Sequence, residues 1–204
     1  RKFTMLQVNK LFISLVGVSI LCACGTPARK INSGGTELIT TVGQVDIQDF
    51  NEAATKLVQS MTTSGVFAEY SNKNKAVLGI SRIINDTTDQ FDTDLLIKKI
   101  RIALLNSGKV EVSTTVGLGG KAEDPMGKSA KELEDFKNGK GNEMPTMPKF
   151  TLTCKILEVR ASAGNTKQSS FVFQMSLTDI TTGNATWEGE QSVTKQGSKP
   201  AIGF

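Results

Sequence analysis

The stretches FTLTCKI at residues 150–156 and FVFQMSL at residues 171–177 decide the fold of this 204-residue chain. In both stretches an apolar residue stands at every second position. A third segment of this kind begins at Trp187, after a turn-forming run at residues 181–184. Because successive side chains of a strand point to opposite faces, the alternation predicts antiparallel strands with one buried and one wetter face. We therefore expect their aromatic residues in the core and not in a ligand site.

Two amphipathic helices are predicted in the first half of the chain, at about residues 49–63 and 93–106. In both segments, apolar residues recur at the spacing that places them on one side of a helix. Asp46 or Asp49 is expected to cap the start of the first helix, and Gly108 to end the second.

Two further strands are predicted near these helices. Residues 76–84 form a mostly apolar run that predicts one buried strand, with a turn at residues 85–88. Residues 109–115 predict a short strand after the second helix. The order of elements predicts an α+β fold, in which a mainly antiparallel sheet of four to five strands packs with two principal helices.

Residues 117–147 interrupt the pattern, since glycine, proline and charged residues are frequent there. Only residues 128–137 are expected to form a short helix. Long loops are usually either mobile or functional, so two interpretations stay open. The one that we favour is a mobile surface insertion, and the other is a structured functional loop. The segment GLGGK at residues 117–121 lacks the spacing of a nucleotide-binding P-loop.

The N-terminal segment is typical of an export signal. The charged residues among residues 1–10 are all basic, and they precede the apolar run LFISLVGVSIL at residues 11–21. This run is too short to span a membrane. It leads into LCAC at residues 21–24, which resembles the lipobox of bacterial lipoproteins. The motif predicts cleavage between Ala23 and Cys24 and lipidation of Cys24, whereas the alternatives are a buried apolar helix and an ordinary export signal.

Lipid on Cys24 is expected to anchor the protein, because several acyl chains bury enough methylene groups for stable membrane attachment. Gly25 follows the cysteine. In bacterial lipoproteins this favours the outer membrane, since an aspartate at that position would favour retention at the inner membrane.

The expected organisation has four parts. A signal peptide at residues 1–23 precedes a lipidated flexible tether at residues 24–44. An α+β domain, which contains the insertion, occupies residues 45–195, and a C-terminal tail occupies residues 196–204. The first part holds 3 of the 24 Lys and Arg residues and none of the 20 Asp and Glu residues, so without it the formal charge falls from +4 to +1.

Composition excludes several classes of function. The chain has no histidine, which excludes Ser-His and Cys-His nucleophiles and histidine metal ligands. We assign no catalytic residue and no metal ligand, and we expect no cofactor and no small-molecule substrate. The balanced charge, without a basic stripe, does not favour nucleic-acid binding. Cys154 would be the only cysteine left beside the lipidated one, so no intramolecular disulfide is expected, and Cys154 is interpreted as a small buried residue.

Four segments follow one another in the expected domain. They are IINDTT at residues 83–88, FDT at residues 91–93, IRIALLNSGKV at residues 100–110 and MSLTDITTGNATWEG at residues 175–189. Their order and spacing, together with the lipobox, resemble the LpoB family of penicillin-binding-protein activators.

This resemblance implies an outer-membrane lipoprotein whose domain faces the periplasm. The expected partner is a bifunctional peptidoglycan synthase, a class A penicillin-binding protein, whose cell-wall synthesis the chain would stimulate. The protein would regulate by binding and would not be an enzyme. Its partner-binding residues are unknown; residues 85–92 and the insertion are candidates because loops often carry function.

Two other interpretations stay open. The strand–Asn–Thr–helix arrangement also resembles the periplasmic domain of the curli-secretion lipoprotein CsgG. That likeness implies a structural or secretion-related envelope lipoprotein that forms a ring oligomer or inserts hairpins into the membrane. A periplasmic enzyme is the third interpretation, and the missing histidine disfavours it.

Overall fold

The computed structural model of the protein describes residues 29–32, 35, 39–71, 73–116, 122–140 and 147–198. The expected cleavage and lipidation sites at Ala23 and Cys24 lie outside these residues. The chain divides into two compact units, Arg1–Leu38 and Ile39–Phe204. Every helix and strand described below belongs to the second unit.

Three helices and six strands are formed by the described residues. They are α1 (Ile47–Thr63), β1 (Ala76–Ile80), β2 (Ile84–Asp86), α2 (Thr93–Asn106), β3 (Val110–Val112), α3 (Pro125–Lys137), β4 (Phe150–Ala163), β5 (Thr166–Asp179) and β6 (Ala185–Ser198). β3 is shorter than the predicted strand at residues 109–115, and β6 includes residues 196–198 of the expected tail. In this part of the chain, no helix combines the length and apolarity that crossing a membrane requires.

All six strands belong to one mixed sheet. Its order is β3-β1-β4-β5-β6, with β2 also paired to β4. β1 is parallel to β3 and β4, and β2 is parallel to β4, whereas β4, β5 and β6 form two long antiparallel ladders. The predicted α+β class is confirmed, but the sheet is mixed and has six strands where four to five were expected. Alternation within a strand carries no information about the direction of its neighbour, so the parallel pairs were missed.

The strand predicted at residues 76–84 is divided into β1 and β2. Ile80 of β1 lies opposite Leu152, and Ile84 of β2 lies opposite Lys155. Between these two positions the segment from β1 to β2 advances four residues, whereas β4 advances three. The additional residue reverses the side-chain alternation, as in a β-bulge. Ile83 is therefore 3% exposed and belongs to the core, whereas Ile84 points to the other face and is 59% exposed.

Asp46 sets the start of α1, as one of the two predicted caps. Its side chain accepts hydrogen bonds from the backbone N–H groups of Gln48 and Asp49, at 2.9 and 3.1 Å. In return, the Asp49 side chain accepts from the Asp46 N–H at 2.8 Å. This reciprocal capping box satisfies N–H groups that have no partner within the helix. α1 therefore begins at Ile47, two residues before the predicted start.

α2 has the predicted bounds, whereas α3 is longer than the helix predicted at residues 128–137. The Asp124 side chain caps α3 by accepting from the Gly127 N–H at 2.8 Å. Pro125 suits the first helical position, where its missing N–H costs no hydrogen bond. α3 contains no buried residue.

The core lies between one face of the sheet and the helices α1 and α2. The alternating residues of β4 and β5 supply its centre: Phe150, Leu152, Cys154, Ile156, Phe171, Phe173, Met175 and Leu177. From α1, the Phe50 ring meets the Phe173 ring edge-on, with 6.2 Å between centroids. The prediction that the strand phenylalanines are core residues is confirmed. Trp187 on β6 is only half-buried and packs against the edge of this core.

Candidate functional site

Metal and thiol chemistry have no site among the described residues. No group of three or more metal-ligating side chains occurs in that part of the chain. Cys154 is 4% exposed, and desolvation raises its pKa to about 12. The thiol therefore stays protonated near neutral pH and is a poor nucleophile. The described residues also offer surfaces that can bind another molecule.

The loop between β2 and α2, a binding candidate from the sequence, is held by its own side chains. Asn85 Nδ2 donates to the Asp89 carbonyl at 2.9 Å. Asn85 Oδ1 accepts from the Thr87 N–H at 3.2 Å and from the Thr87 hydroxyl at 2.7 Å. The Asp89 carboxylate in turn accepts from the Val45 N–H at 2.8 Å, which links the loop to the segment before α1. Asn85 and Thr87 thus act first as turn-forming residues.

A nearly buried carboxylate fastens the same loop to β4. The Glu158 side chain is 3% exposed and accepts from the Thr88 N–H at 3.2 Å and the Thr88 hydroxyl at 2.8 Å. Arg160 Nε donates to it at 2.6 Å, and Arg160 also contacts the Thr88 hydroxyl. Burial acts to raise the pKa of Glu158, but the hydrogen bonds from Arg160 and Thr88 outweigh it, so the pKa is lowered. The charged carboxylate therefore holds the loop on the sheet at neutral pH.

A second ion cluster joins β6 to the start of α1. Lys195 Nζ lies 2.9 Å from an Asp46 oxygen and 2.6 Å from an Asp49 oxygen, and it donates to the Gln44 carbonyl at 2.8 Å. The side chains of Lys195 and Asp49 are each 7% exposed. Burial raises the pKa of Asp49 although Lys195 opposes the shift. At Asp46 burial acts in the same direction, but hydrogen bonds from Lys195 and backbone N–H groups lower the pKa overall.

The described part of the insertion is attached at its start and exposed beyond it. Glu123 forms an ion pair with Arg101 of α2, whose side chain is 9% exposed. On α3, by contrast, Met126, Leu133 and Phe136 are 82%, 55% and 72% exposed. The insertion therefore contains an anchored segment followed by a helix with exposed apolar side chains.

The sheet also has a face that points away from α1 and α2. We call it the open face: the side chains of β4, β5 and β6 that alternate with the core residues, such as Leu157, Val172 and Glu190, together with Ile84 and Asp86 of β2. None of these open-face side chains is buried. The apolar ones include Val159, which is 60% exposed. This arrangement leaves a broad surface on which another molecule can make contact.

Residues 49–193 match the family model described as the peptidoglycan-synthase activator LpoB. The chain belongs to the LpoB family. The resemblance inferred from the ordered sequence segments is thereby confirmed. The matched range of this LpoB-family domain includes all six strands in whole or in their larger part, and it also includes the insertion.

Several solved structures are similar to this LpoB-family chain. The C-terminal domain of LpoB from Salmonella enterica is 22% identical, with 71% of this chain and 98% of that chain covered and a TM-score of 0.44. The corresponding domain from Escherichia coli is 18% identical, with the same coverages and a TM-score of 0.45. Lipoprotein GNA1162 from Neisseria meningitidis is 13% identical, with 62% and 89% covered and a TM-score of 0.37. No curated protein matches the chain. The family assignment rests on the family model.

The charged residues that fasten the LpoB-family domain were missed from the sequence. Glu158 and Lys195 occupy strand positions at which the alternation predicts inward side chains. A charge at such a position is a signal for a buried ion cluster, because an unpaired buried charge is costly. Their partners were not predictable, since Thr88 is 70 residues from Glu158 and Asp46 is 149 residues from Lys195.

Proposed function

We propose that the chain is an outer-membrane lipoprotein that binds and regulates a bifunctional peptidoglycan synthase, a class A penicillin-binding protein. By binding, it would stimulate cell-wall synthesis. The observation that carries this proposal is the match of residues 49–193 to a family of peptidoglycan-synthase activators. A regulator of this kind needs a specific surface and no catalytic centre, and the broad open face can supply such a surface.

The lipid anchor is the second part of the proposal. The lipobox at residues 21–24 supports removal of residues 1–23 and lipidation of Cys24, and Gly25 supports sorting to the outer membrane. The expected tether ends at Gln44, whose carbonyl accepts from Lys195 of β6, and residues 24–44 span at most about 70 Å at roughly 3.3–3.6 Å per residue. The domain would then face the periplasm and would meet its partner within that distance of the membrane.

The test of the proposed function uses the full-length lipidated protein and the class A synthases of the same cell, purified in detergent. We expect direct binding to one synthase, together with faster polymerisation and cross-linking of glycan chains from a lipid-linked precursor. Failure to bind any of these synthases would overturn the proposal. A stable ring oligomer without synthase binding would favour the secretion-related alternative.

A Cys24→Ser variant tests the anchor separately from the binding. We expect it to bind the synthase in detergent as the unchanged protein does, because the substitution lies outside residues 49–193, which match the family model. In cells it should no longer fractionate with the outer membrane. Retention of the variant in that membrane would contradict lipidation at Cys24 as the anchor.

A further inference from the structure

The open face carries an apolar patch where β2, β4 and β5 meet. Leu157 lies opposite Val172 in the β4–β5 ladder, and Val159 follows on the same face of β4. Ile84 enters this face because of the reversal between β1 and β2, and it lies opposite Lys155. Ile84 and Val159 are 59% and 60% exposed. These apolar side chains are exposed to solvent. Burying them against a partner is favourable, because it removes apolar surface from water.

Two carboxylates of β6 lie on the same face: Glu190 is the diagonal neighbour of Val172 across the β5–β6 ladder, and Glu188 lies two residues further along β6. Glu190 lies opposite Gln174 and Glu188 lies opposite Ser176. Each glutamate accepts a hydrogen bond from its neighbour, Gln174 Nε2 at 2.9 Å and the Ser176 hydroxyl at 3.0 Å. These donors are neutral, so they orient the two carboxylates without cancelling their charge.

Lys155, which lies on the open face beside the patch, forms an ion pair. Lys155 Nζ lies 3.0 Å from an oxygen of Asp86, which belongs to β2 and points to the same face. The two charges of this half-exposed pair offset each other, so the net negative charge of these four open-face side chains comes from Glu188 and Glu190. Such a surface repels phosphate groups of nucleic acids and anionic lipids, and it attracts lysine and arginine.

We propose that the open face is the docking surface of the domain for a protein that presents apolar side chains next to lysine or arginine. The apolar part of the partner would cover Ile84, Leu157, Val159 and Val172, and its basic groups would meet Glu188 and Glu190. This inference rests on the proposed function, so the partner is the class A peptidoglycan synthase. The exposed apolar side chains of α3 do not select a partner in this way, because lysines and carboxylates are interspersed around them.

The test measures binding of full-length variants to the synthase in detergent at low and at high salt. Glu188→Lys with Glu190→Lys reverses both charges, and we expect binding about tenfold weaker, mainly through slower association, with less dependence on salt. The matched control is Glu132→Lys with Glu134→Lys on α3, which makes the same change of charge on another exposed surface. We expect the control to bind as the unchanged protein does.

Further variants separate the contribution of charge to binding from that of apolar contact. Glu188→Gln with Glu190→Gln keeps side chains that accept from Gln174 and Ser176, and it should weaken binding by a smaller factor than the lysine variant. Ile84→Ser with Val159→Ser should weaken binding while the salt dependence is retained. Circular dichroism and thermal melting show for each variant that the fold is preserved.

The outcomes distinguish the two levels of the proposal. If the unchanged protein binds no synthase, the proposed function is overturned and the docking surface with it. If it binds and the open-face variants bind equally well, the function stands and the open face is not the docking surface. If the α3 variant loses binding while the open-face variants retain it, docking occurs through the insertion, and the inference is again overturned.

Discussion

Lys195→Met removes the cation of the cluster that joins β6 to the start of α1. The ammonium group contacts the carboxylates of Asp46 and Asp49 at 2.9 and 2.6 Å, and its side chain is 7% exposed. Breaking a buried ion pair from one side typically costs about 3–5 kcal/mol, because the remaining charge is left buried. Asp46 is 25% exposed, so water can solvate part of that charge. We therefore expect a loss of about 3 kcal/mol in the free energy of unfolding.

Urea unfolding followed by the fluorescence of Trp187, the single tryptophan, measures this loss. A change of about 3 kcal/mol corresponds to a fall of roughly 6–12 °C in the melting temperature of a domain of this size. Adding Asp49→Asn to Lys195→Met should restore part of the stability, because it removes the most buried of the unpaired charges. A loss below about 1 kcal/mol for Lys195→Met would refute the assignment of the cluster as a main attachment of α1.

Three further predictions follow from local contacts. The pKa of folded Glu158 lies below its ordinary value of 4.5, so the stabilisation by its charged form is present above about pH 4.5 and is lost as the pH falls through the lower folded value. The melting temperatures of Glu158→Gln and the unchanged protein should therefore converge at acid pH. A difference that stays constant with pH would contradict this. Asp124→Ala removes the N-terminal cap of α3, which stabilises the helix by about 0.5–2 kcal/mol. Amide exchange in α3 should accelerate while the urea midpoint of the domain stays constant, since α3 has no buried residue. A shifted midpoint would show instead that α3 supports the core. Gly189→Ala places a Cβ 2.5 Å from the Trp187 ring. This overpacking should lower the free energy of unfolding by about 1–3 kcal/mol, which thermal melting measures. Unchanged stability would contradict the close approach of Gly189 to the Trp187 ring.

Short-range patterns predicted much of the fold. The alternation at residues 150–156 and 171–177 identified the residues that the core buries, since a strand side chain every second position faces the same way. Helical spacing identified α1 and α2, and Asp46 was among the predicted caps. These predictions succeeded because the determining interactions lie within a few residues along the chain.

The break between β1 and β2 shows where such patterns fail. The only polar side chains of residues 76–84 are those of Ser81 and Arg82, at the break itself, and two polar residues in an apolar run do not by themselves predict a change of register. The reversal arises because both short strands pair with β4 at different registers, opposite Leu152 and Lys155. That pairing places Ile84 on the open face, where it is one of the apolar side chains of the proposed docking surface.

The sequence by itself determined which segments are helices and long strands, which apolar side chains at residues 150–156 and 171–177 are buried, and the lipobox at Cys24 that predicts an anchor. Tertiary structure decided the parallel pairing of β1 and β2 with β4, the two ion clusters and the composition of the open face. The physical reason is distance along the chain. Periodicity and capping act between near neighbours, whereas Lys195 contacts Asp46, and Glu190 lies next to the apolar patch, only when remote segments share one sheet.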